Sequence, residues 1–140
     1  MTRPIKITKQ VHFRTAKRGR RVLKEGTRKK AVTLGKVPRL SRLMALALYM
    51  DDLLHQAVAR DLADLARLAM VTRGRMTQIM NLLLLAPEIQ EEILFLPLTH
   101  GGRDVLSERD IRPIATVPDW RKQRVMWREM KAQNHEAQSV

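Results

Sequence analysis

Between Thr72 and Asn81 the chain reads TRGRMTQIMN, a stretch that separates two kinds of side chain cleanly. At 3.6 residues per turn, Met76, Ile79, Met80 and the following Leu83 fall on one inward stripe. Thr72, Arg73, Gly74, Thr77, Gln78 and Asn81 face the other way, with Arg75 toward the flank, and no acidic residue lies among them. These types match the edges of base pairs. A guanidinium can donate to guanine O6 and N7 together, and a glutamine amide can pair with adenine N6 and N7. Thr72, Thr77 and Asn81 carry groups suited to phosphates or neighbouring bases, and Arg75 is expected on a phosphate. Gly74 lets a base or sugar come close to the backbone.

Catalytic constellations are not in evidence. His12, His55, His100 and His135 are scattered without metal-ligand spacing. Asp51 and Asp52 are neighbours, as are Glu91 and Glu92, and adjacent residues on a helix point about 100° apart, so neither pair converges. The chain has no cysteine, which excludes disulfides, thiolate zinc sites and cysteine nucleophiles. The lone tyrosine, Tyr49, has no Arg/His constellation around it that a tyrosine recombinase would need. The expectation is a protein without enzymatic activity, metal or cofactor.

The face at 72–81 must be held by other helices. Leu40, Leu43, Met44, Ala47, Met50 and Leu54 predict a first helix over about 40–57, after the extended Val37-Pro38 junction. Asp61 is suited to cap a second helix, whose inner stripe is Leu62, Leu65, Ala66 and Ala69. After a break at Met70-Val71, Thr72 caps a third helix, expected to continue through LLLL at 82–85. A helix-turn-helix needs a small residue where the two helices cross, an apolar residue before the second, and two apolar anchors inside it. Ala66, Val71, Met76 and Ile79 supply these. The turn normally favours Gly because its φ is positive, and Met70 stands there. Pro87 opens a fourth helix, Ser107 with Asp110 begins a short one interrupted near Pro113, and Pro118 opens the last. In that last helix Trp120, Trp127 and Met130 share a stripe.

Charge is partitioned along the chain. Of 27 Lys/Arg in 140 residues, 15 lie in residues 1–42 against one acid, a net +14; the remainder holds 12 bases and 13 acids, a net −1. A polyanion is the natural partner of such a block. QVHF at 10–13 could form a short strand, but the arm is otherwise polar and Gly-punctuated and is read as disordered in isolation. Its basic clusters are Lys17, Arg18, Arg20 and Arg21, and Arg28, Lys29 and Lys30. The first has the basic–Gly–basic form of arms that lie in the DNA minor groove, although it lacks the Pro of an AT-hook core. The longest apolar run, LMALALYM at 43–50, is far below the roughly 20 residues that span a bilayer.

The segment LADLARLAMVTRGRMTQIMNLLLLAPEIQEEI resembles the helix-turn-helix of the ParB/KorB family of bacterial DNA-binding proteins. Leu65-Ala66, Val71, Thr72-Arg73, Ile79, Leu82-Leu83, Leu85-Ala86-Pro87 and Ile89 match successive elements of that family's pattern, within about residues 40–97. The family's N-terminal nucleotide-binding domain has no counterpart in the basic arm, so nucleotide hydrolysis and clamp behaviour do not carry over. Residues 38 to about 128 are also similar to small helix-turn-helix proteins of bacterial mobile elements.

The expected fold is therefore all-α: a basic flexible arm (1–37), a helix-turn-helix core (38–97), C-terminal loop and helices packing on the core or a partner (98–132), and a frayed tail (133–140). The expected function is sequence-specific binding of double-stranded DNA, with the helix from Thr72 in the major groove and the arm on the backbone or minor groove. The resemblance implies a cytoplasmic, nucleoid-associated bacterial protein serving a mobile element as regulator or accessory factor. Three points stay open. An RNA-binding or architectural role would suit the arm, although it offers only Phe13 for stacking. The Trp120/Trp127 helix could recruit a recombinase or polymerase. A homodimer would read two half-sites, but no heptad enforces one.

Overall fold

The computed structural model describes residues 2–16, 19–27 and 34–138 of the chain. It divides into two units, residues 1–33 and 34–140.

The first unit corrects the expectation of a purely helical protein with an unstructured arm. Strands β1 (Val11–Thr15) and β2 (Arg21–Glu25) pair antiparallel, with Phe13 opposite Leu23 and Thr15 opposite Arg21. Val11, Phe13 and Leu23 share one face of the ribbon; His12, Arg14, Val22 and Lys24 share the other. The apolar positions alternate within β1, a period that the surrounding charge run obscures in the sequence. Gly19, at φ 75°, lies in the connection, and Lys9 pairs with Glu25 at 2.8 Å.

The second unit is helical: α1 (Arg39–His55), α2 (Leu62–Leu68), α3 (Arg73–Met80), α4 (Pro87–Leu94), α5 (Glu108–Ala115) and α6 (Trp120–Gln138). It begins before the Pro38 junction, because Lys36 and Thr99 exchange backbone hydrogen bonds of 2.9 and 2.8 Å. Its larger core joins Leu40, Met44 and Ala47 of α1 to Ile79, Leu82, Ile89, Ile93, Ile111 and Trp127. The smaller one holds α2 and α3 together through Met50, Ala59, Leu65, Ala66 and Met76, with Val71 packed against it.

Local chemistry fixes the ends of α1, α2 and α3. The Asp61 carboxylate accepts from the Asp64 N–H at 2.8 Å, and the Thr72 hydroxyl accepts from the Arg75 N–H at 3.1 Å. Helix α2 ends in a Schellman motif: Val71 N–H donates to the Ala66 carbonyl, Met70 N–H to that of Arg67, and Met70 adopts φ 55°. Thus Met70 takes the left-handed conformation usually given to Gly. Helix α1 stops two residues short of expectation in the same motif, with Ala57 at φ 57°.

Further expectations need correction. Helix α3 does not run through LLLL; it passes into a 3-10 helix at Asn81–Leu84. Pro113 does not interrupt α5, which extends to Ala115. Helix α6 continues to Gln138, through the segment expected to fray from 133. On α6, Trp127 is buried but Trp120 is half exposed, its indole N–H donating to the Leu84 carbonyl at 3.3 Å. Gln123 is the fully buried residue between them. Its Oε1 accepts from the Ala86 N–H at 2.7 Å, and its Nε2 donates to the carbonyls of Val117 (2.8 Å) and Leu84 (3.1 Å). Ser41, also buried, donates to the Ile93 carbonyl at 2.7 Å and ties α1 to α4. Among the described residues no helix is long and apolar enough to cross a membrane.

Candidate nucleic-acid interface

The structure brings the polar residues of 72–81 onto one exposed surface. Met76 and Ile79 anchor α3 in the two cores, which turns Thr72, Arg73, Gly74, Thr77, Gln78 and Asn81 outward. Within it, Thr72 spends its oxygen on the cap, and the Thr77 hydroxyl donates to the Arg73 carbonyl at 3.0 Å. Helix α3 contains no acidic residue. A Cβ added at Gly74 would meet nothing within 4 Å among the described residues, so none of them demands a glycine there.

Two side chains are less free than the sequence implies. Arg75, read as a flanking phosphate contact, is about three-quarters buried, and its Nη1 donates to both Glu108 oxygens at 2.7 and 2.8 Å. The Gln78 Oε1 accepts from Arg75 and from Arg112, both at 3.2 Å, which leaves its NH2 group as the outward end. Bidentate pairing of Gln78 with adenine would therefore first have to displace these guanidinium contacts. Glu108 organises the network, bonding Arg112 at 3.3 Å as well. Burial works against its ionisation, but the hydrogen bond and charge of Arg75, followed by those of Arg112, outweigh it and hold the carboxyl below its ordinary value.

No protein-family model, no curated protein and no solved structure matches this chain.

Helix α5 contributes residues that the sequence reading missed. Arg112 and Thr116 border a pocket of about 170 Å³ shared with Gln78 and Asn81. The Glu108/Arg112 spacing was visible as an i,i+4 pair, but the packing of α5 beside α3 depends on contacts distant in sequence. In the first unit Arg20 and Arg21 are exposed. Lys17, Arg18, Arg28, Lys29 and Lys30 lie outside the described residues. His12 contacts the Gly26 carbonyl at 2.8 Å and His55 that of Asp51 at 2.8 Å. Among the described residues no group of three or more His, Cys, Asp or Glu side chains is placed to hold a metal ion.

Proposed function

We propose that this protein binds double-stranded DNA with sequence preference. In this reading α2, the Met70 turn and α3 act as a helix-turn-helix of the ParB/KorB type, with α3 in the major groove. Arg73 reads a base edge, and Gln78 and Asn81 contact bases further along. Thr72 meets a phosphate with the proton its cap leaves available, and Thr77 does so on giving up its bond to the Arg73 carbonyl. Arg75 acts from behind the surface, holding Gln78. The basic N-terminal unit follows the phosphate backbone or enters the minor groove, and the role is that of a regulator or accessory factor in bacteria.

The observation that carries the reading is the outward face of α3: hydrogen-bonding side chains without an acid, on a helix braced by α2 and broken from it by a left-handed turn. Gly74 supports it, since a glycine in a helix costs stability and no described residue packs into the space it leaves.

The test is selection of bound sequences from a random duplex pool, with wild type and Arg73→Ala compared. Wild type should return a motif of several base pairs. Arg73→Ala should lose preference at one position, by about 1–3 kcal/mol, with little change in salt dependence. Absence of a motif from the wild-type selection would defeat the reading.

A further inference from the structure

A second basic surface lies beside α3, built from parts of the helical unit that are far apart in sequence. A cleft of about 580 Å³ is lined by Arg39 at the start of α1, Arg75 of α3, Arg103 of the loop before α5, and Arg109 and Arg112 of α5. Two carboxylates line it as well, Asp104 and Glu108. Both are engaged. Asp104 accepts from the Arg39 backbone N–H at 2.8 Å and from the Thr99 hydroxyl at 2.7 Å. Glu108 holds Arg75 and Arg112. Arg39, Arg103 and Arg109 are exposed, and none forms an ion pair among the described residues. Three guanidiniums outside any ion pair therefore line one cleft, only Arg39 being partly offset by the charge of Asp104, and like charges so gathered repel.

We infer that this cleft seats the phosphodiester backbone of the same duplex whose major groove receives α3. The inference rests on the DNA-binding reading above. It follows from geometry that a helix of eight residues, about 12 Å long, lies in a groove about 12 Å wide with a phosphate strand on each side. Arg75 belongs both to α3 and to the cleft wall, which puts the cleft along the flank of α3 beside its outward face. Guanidiniums suit the task because their planar fork matches phosphate oxygens. Glu108 pairs with Arg75 and Arg112, which reach both Gln78 on the α3 face and the cleft wall.

The experiment compares full-length wild type with the triple variant Arg39→Gln/Arg103→Gln/Arg109→Gln, and with the Lys triple at the same positions, on several duplexes over a salt series. With three phosphates released, the log–log slope of the Gln triple should be shallower by about 2.7, at about 0.9 per contact. The affinity ratio of wild type to the Gln triple should accordingly shrink by roughly 40-fold between about 50 and about 200 mM salt. The loss should be alike on all duplexes, and the Lys triple should keep the wild-type slope. An unchanged slope in the Gln triple, with wild type binding duplex, overturns the inference and leaves the α3 reading standing. Saturable binding of inorganic phosphate that the Gln triple abolishes, with its duplex slope unchanged, would assign the cleft to a free phosphate compound and also overturn it. A wild type that binds no duplex removes both readings.

Discussion

Gly74→Ala should raise stability and lower DNA affinity at once. Gly74 is the second residue of α3, two positions after the Thr72 cap, and its added Cβ would project into open space. Gly in a helix is less favourable than Ala by roughly 0.5–1 kcal/mol, and the lower end is taken for this first-turn position. A gain of about 0.5 kcal/mol in a helical unit of this size raises the melting temperature by about 2–4 °C. On DNA the methyl group would stand between α3 and the groove floor. Loss of the one close contact beneath it, worth about 1–3 kcal/mol, corresponds to about 5- to 150-fold in Kd. Thermal unfolding by circular dichroism and fluorescence anisotropy on the selected duplex measure the two effects. A stabilised variant with unchanged affinity would refute the claim that Gly74 faces DNA. A destabilised one would refute the claim that the position is open.

Other changes test the scaffold. Gln123→Leu leaves the Ala86 N–H and the Val117 carbonyl without their partner; at about 1–3 kcal/mol for each unsatisfied group and a urea m of about 2 kcal/mol/M, the midpoint should fall by about 1–3 M. A shift below about 0.3 M would mean that α6 does not depend on this clasp. Glu108→Gln probes the network beneath Gln78. The folded-state pKa of Glu108 lies below its unfolded value, so its contribution is complete above the unfolded value, near ~4.3, and is lost as pH falls through the folded one. The stability gap between wild type and this variant should therefore be widest near neutral pH and close below about pH 4, in urea unfolding measured across pH. A gap independent of pH would assign the effect to packing instead.

What the sequence disclosed was local. Asp61, Thr72, Pro87 and the Ser107/Asp110 box are legible because a cap depends on residues within one turn. The apolar period placed Ala66, Met76 and Ile79 inside, where they are buried. Met70 was legible as a departure: the turn pattern demanded a positive φ, and an exposed Met accepts it without disturbing a neighbour. The hairpin was hidden because its alternation is short and set in a charge run that reads as coil. Pro113 misled for a different reason. Proline removes one N–H, but α5 continues only two residues beyond it, and Ile111 and Ile114 keep that segment in the core. The engagement of Arg75 by Glu108, 33 residues away, and the gathering of Arg39, Arg103 and Arg109 are tertiary facts without a periodic trace.

The contact between Trp120 and the Leu84 carbonyl gives the molecule its own optical probe. The chain has two tryptophans. Trp127 is shielded in the core, its indole N–H donating to the Glu92 carboxylate at 2.9 Å. Trp120 is half in water and touches the residue that closes the turn after α3, and that same residue lines the pocket beside Gln78 and Asn81. Under the proposed function, a duplex covering that end of α3 would come to rest beside the residue that this indole holds. Its emission is then the expected label-free readout of occupancy in the unmodified protein.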